Sequence, residues 1–151
     1  MNFLDFLKRK DKITEIINDL KKEHQYLLEL YNNINENIKN NNFDKVKEDR
    51  ELFLQELLKH LEKEDNNIYK NIYDLEKIDK TVLETIQKIQ KDIEPIANKL
   101  LISFKKFKKI DNSNKFNFLY DFNYLGSIIL KRINFEEKIL YNYFLQKFKN
   151  N

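Results

Sequence analysis

The chain has no cysteine, and only one glycine and one proline. The first absence excludes a disulfide framework, an iron–sulfur cluster, a thiolate zinc site and a cysteine nucleophile, and it suits a reducing, cytoplasmic setting. Any metal must therefore be held by nitrogen and oxygen. So little glycine and proline cannot punctuate a sheet of many short strands, which leaves an all-α composition. Neither charge sign dominates: 28 basic residues face 25 acidic ones, a net charge of +3 that gives no nucleic-acid footprint. Long apolar runs are also missing. No stretch approaches the ~18 residues of a membrane span, and the opening MNFLDFLKRK has no hydrophobic region of signal-peptide length. A soluble protein without nucleic-acid or membrane partners is the expectation.

There is also no glycine-rich phosphate loop, since the single glycine, Gly126, falls inside a helical pattern where it allows close packing. No serine or threonine has a histidine at local spacing, so no nucleophilic enzyme is indicated. What remains is 151 residues, 41% hydrophobic and 35% charged, enough for a single domain over residues 1–151 with a real core. The densest basic run, Phe104 to Lys109, falls where a helix should end, and lysines are favoured there by the exposed carbonyls. Phe3, Leu4, Phe6 and Leu7 read as a short helix capping one end of a bundle, with contact to a membrane surface as the other use.

Four helical stripes follow in order. The first runs Ile13, Ile17, Leu20, His24, Leu27, Tyr31, Ile34 and Ile38, with steps of three and four and a histidine set among the aliphatics. Asn40 to Asn42 break it, with Asn42 a candidate N-cap for the next helix. That helix spans about Phe43 to Leu75 and turns Val46, Phe53, Leu57, His60, Glu64, Ile68 and Ile72 inward. His60 and Glu64, four residues apart on one face, make half of a metal site. Thr81 and Glu84 form a capping box that opens the third helix, after a turn at Lys77 to Lys80. Its stripe of Val82, Ile86, Ile89, Ile93, Ile96, Leu100 and Phe107 carries no metal-binding side chain, and Pro95 should kink it. After Asp111 to Asn114 the fourth helix places Arg132 and Glu136 on a stripe with Phe118, Phe122, Leu125, Ile129, Leu140 and Tyr143.

Shifted by 72 residues against itself, the chain aligns LKHLEKEDNNIY with LKRINFEEKILY. Glu64 falls on Glu136, Tyr69 on Tyr141, His60 on Arg132 and His24 on Ile96. The expected architecture is thus an up-down-up-down antiparallel four-helix bundle made of two similar helical hairpins.

With KKEHQYLLEL and LLKHLEKEDNNIY in the first half and RINFEEKILY in the second, the chain resembles the hemerythrin-like, or HHE cation-binding, four-helix bundles. Family members use a histidine from the first helix and an HxxxE from the second, and repeat the set in the second hairpin to hold two irons. Carried over position by position, the resemblance implies His24, His60 and Glu64 as metal ligands and Glu136 as a former bridging carboxylate. The second histidine set is missing, so the resemblance does not bring reversible oxygen carriage with it. The ExxH pattern of ferritin-like di-iron sites is absent, with Lys21 and Leu57 three residues before the two histidines.

The resulting expectation is a mononuclear site of His24, His60, Glu64 and Glu136 holding one iron per chain. Manganese and zinc also suit that donor set, and a metal-free polar core is the remaining reading. Arg132, one turn from Glu136, is expected to supply part of the charge of the absent second metal. The function expected is a non-enzymatic sensor or regulatory module for iron, oxygen or nitric oxide that passes its signal to a protein partner. The alternative is a metal-free interaction module similar to the regulator of sigma D proteins, whose fourth helix LGSIILKRINFEEKIL resembles in pattern.

Overall fold

The computed structural model describes residues 2–74 and 78–147, and among them there is no strand. Six α-helices form four rods. The first is α1, Phe3–Lys39, whose N-cap Asn2 side chain accepts the Asp5 amide at 2.8 Å. Phe3 to Leu7 are therefore its first turns and not a separate capping helix. α1 ends in a Schellman turn: the Asn42 amide donates to Asn37 O and the Asn41 amide to Ile38 O. Asn41 takes the required left-handed conformation, φ 61°, which asparagine tolerates better than most residues. Such a tight reversal makes the second rod, α2 (Phe43–Asn67), antiparallel to the first. Asn42 is the N-cap, as its position suggests, yet its side chain bonds to Asn37 and not to the helix amides.

α2 stops at Asn67, and Tyr69–Asp74 continue as a 3-10 segment, so the helix is shorter than its stripe suggests. Leu75 and Lys77, where the sequence pattern puts the helix end and the next turn, lie outside the described residues. The third rod is α3 (Lys80–Ile93) followed by α4 (Ile96–Lys106), broken at Pro95 as the missing donor requires. Its cap is not the Thr81/Glu84 box. The Asp79 carboxylate accepts the amides of Thr81 and Val82 at 2.8 and 3.3 Å, leaving Thr81 inside the first turn.

The fourth rod is α5 (Lys115–Phe135), a π turn over Glu136–Leu140 and α6 (Tyr141–Lys147). Gly126 is where this rod meets α1: a β-carbon there would overlap the Tyr31 ring. The π turn shifts the register of everything after it. Tyr141 becomes fully buried, and Tyr143, expected on the core stripe, is only half-buried.

Two apolar clusters fill the bundle. One contains Leu27, Leu57, Ile129 and Ile133, and the other Leu20, Ile68, Ile86 and Leu140. His24 lies between Leu20 and Leu27, His60 and Glu64 between Leu57 and Ile68, and Arg132 and Glu136 among Ile129, Ile133 and Leu140. All five polar side chains are buried. They form one charged layer between two apolar ones.

Candidate metal centre

Three helical rods carry the layer. α1 brings His24, α2 brings His60 and Glu64, and the fourth rod brings Arg132 from α5 and Glu136 from the first position of the π turn. The α3–α4 rod supplies only aliphatic side chains, and Ile96, in the repeat position of His24, is fully buried. One ligand atom from each of His24, His60, Glu64 and Glu136 lies within 4.8 Å of the others. His60 Nε2 is 2.6 Å from Glu64 Oε1, and His24 Nε2 is 3.2 Å from Glu136 Oε1.

These close approaches are not all hydrogen bonds. His60 Nε2, Glu64 Oε1 and Glu136 Oε1 are buried without any hydrogen-bond partner, an arrangement that costs about 1–3 kcal/mol per group unless something fills it. Metal–nitrogen and metal–oxygen bonds of ~2.0–2.2 Å place donors on one ion no more than about 4.4 Å apart. The cluster is that size to within a few tenths of an ångström, so the residues fit a single ion.

The surrounding groups orient the donors. His60 Nδ1 is 2.9 Å from Glu23 Oε1, and because an ionised carboxylate only accepts, the proton sits on Nδ1 and the Nε2 lone pair faces the centre. Lys63 Nζ holds the other Glu23 oxygen at 2.8 Å. Burial opposes the ionised Glu23, but hydrogen bonds from Lys63 and His60 overcome it and keep its pKa below the usual carboxylate range. His24 is held less firmly: Glu137 Oε2 lies 3.3 Å from its Nδ1 without a hydrogen bond, and the Tyr141 hydroxyl is 3.4 Å from its Nε2. Tyr69 donates to Glu136 Oε2 at 2.7 Å and Tyr141 to Glu64 Oε2 at 2.9 Å, so each carboxylate keeps its Oε1 free for the centre.

Spacing alone does not mark Glu23, Glu137, Tyr69 and Tyr141 as site residues. The tyrosines stand five residues after Glu64 and Glu136, which in a regular α-helix is about 140° around the axis and away from the core. The first hairpin corrects this by leaving the α-helix before Tyr69, and the second by the π turn before Tyr141. The 72-residue repeat of Glu64–Tyr69 in Glu136–Tyr141 was the available signal.

The chain belongs to the hemerythrin HHE cation-binding domain family. The family model matches residues 15–144, which span all the donors above. No curated protein and no solved structure matches the chain.

Arg132 distinguishes this hemerythrin domain from a symmetric pair of hairpins. Its Nε donates to Glu136 Oε2 at 2.9 Å, its Nη2 lies 3.7 Å from Glu64 Oε1 and 3.5 Å from Asp65 Oδ1, and its Cζ sits 4.4 Å over the Tyr69 ring. Burial disfavours its charge, but Glu136, followed by Tyr69 and Glu64, outweighs that and keeps it protonated. Burial and the neighbouring Glu136 charge push Glu64 well above the ordinary carboxylate range. Glu136 is held at about 2: burial works against it, but the close approach of Glu64 and His24 and the Arg132 charge prevail. Without metal, these opposite shifts favour the protonated form of Glu64 and the ionised form of Glu136. Burial lowers the His60 pKa despite Glu23, which favours the neutral, ligating form. A cleft of about 550 Å³ beside Leu58, Asp65, Tyr69 and Arg132 reaches this edge of the layer.

Proposed function

We propose that this hemerythrin domain binds one iron ion through His24, His60, Glu64 and Glu136, and that it serves as a non-catalytic sensor of iron, oxygen or nitric oxide, reporting to a protein partner. The observation that carries the reading is the cluster of His24, His60, Glu64 and Glu136, in which His60 Nε2, Glu64 Oε1 and Glu136 Oε1 are buried without a hydrogen-bond partner. Two neutral imidazoles and two carboxylates suit a divalent ion and balance its charge. Arg132 supports a mononuclear centre, because its guanidinium stands where the second hairpin would need a histidine and its charge already serves Glu136.

His24, His60, Glu64 and Glu136 would hold the ion, and ferrous iron there would supply redox chemistry. The chain does the remaining work. Glu23 fixes which nitrogen of His60 faces inward, Tyr69 and Tyr141 hold one oxygen of each carboxylate, and Glu64 gives up its proton on loading. Glu136 opens the π turn, so a change in its position moves the start of α6, a route from centre to surface.

The second reading, a metal-free interaction module, is favoured by the Arg132–Glu136 ion pair, which partly neutralises the layer without metal. An anaerobic Fe(II) titration followed by chemical denaturation separates the two. Iron that binds only the folded chain adds about 2.7 kcal/mol at a free concentration one hundred times Kd, and His60→Ala should abolish the gain. No gain in the unmodified chain favours the metal-free module. For the sensing step, amide exchange in α5 and α6 of the iron-loaded chain should change when nitric oxide or oxygen is added, and unchanged exchange with both would leave a metal site without a sensor.

A further inference from the structure

The outer face of α5 carries three of the five most exposed large hydrophobic side chains among the described residues. Phe116, Tyr120 and Tyr124 stand at steps of four along it and are 71%, 78% and 60% exposed. Between Phe116 and Leu130 the sequence carries one charge, Asp121, in a chain that is 35% charged overall. That charge is answered by Lys106 at 3.8 Å. The same ion pair brings α4 alongside α5.

We propose that this face is where two copies of the chain pair. In a twofold interface each side chain meets its own kind or its near neighbours across the axis, so a face rich in one charge repels itself and a neutral one does not. The aromatic ladder meets that condition. With Tyr120 on the axis, Phe116 of one copy lies against Tyr124 of the other, and the neutral Asn117 and Ser127 fall at the rim. A ridge of residues four apart packs on its like at about −50°, which confines contact to two or three turns, and Phe116 to Tyr124 covers ~12 Å.

The area agrees with this geometry. Aromatic side chains of ~150–250 Å² each, exposed to the extent seen, offer roughly 300–500 Å², about half of the roughly 800 Å² per partner of a standard interface before their neighbours are counted. Tyrosine and phenylalanine are enriched in such interfaces, and lysine and glutamate depleted.

Sedimentation equilibrium of the full chain over a range of concentrations tests the proposal. A monomer–dimer equilibrium is expected, weakened roughly tenfold or more in Tyr120→Glu and in Phe116→Glu, both exposed positions that leave the core untouched. Because the chain lacks cysteine, Tyr120→Cys provides a single thiol, and a short bis-maleimide should link it to its mate while Glu62→Cys on α2 stays unlinked. A chain that is monomeric at every concentration overturns the proposal. So does a dimer that survives both glutamate substitutions, or one that links through position 62 and not 120.

Discussion

Tyr69 of the first hairpin donates its hydroxyl hydrogen to Glu136 of the second, and Tyr141 of the second donates to Glu64 of the first. The exchange ties the two hairpins together through the layer that holds the donors. In Tyr141→Phe the Glu64 oxygen loses its donor while keeping its burial, and stability should fall by about 1–3 kcal/mol, whereas Tyr69→Phe should cost less because Arg132 Nε still donates to Glu136 Oε2. Metal affinity should fall by roughly tenfold to a hundredfold, as for other groups that orient ligands. Urea unfolding and a chelator competition measure the two effects.

Arg132→Leu removes the cation that offsets Glu136. The metal-free variant should lose about 3–5 kcal/mol, the cost of leaving a buried charge unpaired. Added divalent metal should then stabilise the variant more than it stabilises the unmodified chain, because the ion takes over the missing charge. Paired denaturation curves with and without Fe(II) would show this.

The acidity of the layer gives a pH dependence of known sign. Glu64 is raised, so from its ordinary 4.5 up to its folded-state pKa the folded chain holds a proton that the unfolded chain releases, and metal-free stability falls as pH rises through that range. His60 is lowered, so its contribution is present above its ordinary 6.5 and is lost as pH falls through its folded-state value. Glu136, held at about 2, adds a loss as pH falls from 4.5 through 2. Glu64→Gln should remove the fall with rising pH, and so should metal, which displaces the Glu64 proton. Denaturation at a series of pH values, with chelator and with Fe(II), tests each part.

Gly126→Ala should destabilise the chain although alanine favours helix by ~1 kcal/mol. The added methyl meets the Tyr31 ring, whose hydroxyl is bonded to Asn123 and which packs on Phe122. Displacing it should cost about 1–3 kcal/mol, as in other overpacked contacts, and thermal unfolding would read the result.

The stripes on α1, α2, α3–α4 and α5 were legible because burial at helical spacing follows from aliphatic steps of three and four. His24, His60, Glu64, Arg132 and Glu136 were legible for the same reason, since polar side chains stood where aliphatic ones belong. Tyr69 and Tyr141 were not, because their inward direction depends on a 3-10 segment and a π turn that no local pattern announces. Glu23 and Glu137 look like ordinary surface acids in sequence. Only the meeting of α1 with α2 and with the fourth rod places them against the imidazoles. Asp79 took the α3 cap from Thr81 because its carboxylate reaches two amides at once.

The most direct test of the metal centre is metal content per chain, by mass spectrometry, after anaerobic Fe(II) loading and removal of free metal. About one iron per chain, lost in His60→Ala, is the expected result. No iron in either protein, or two irons per chain with Arg132 intact, would contradict a mononuclear centre.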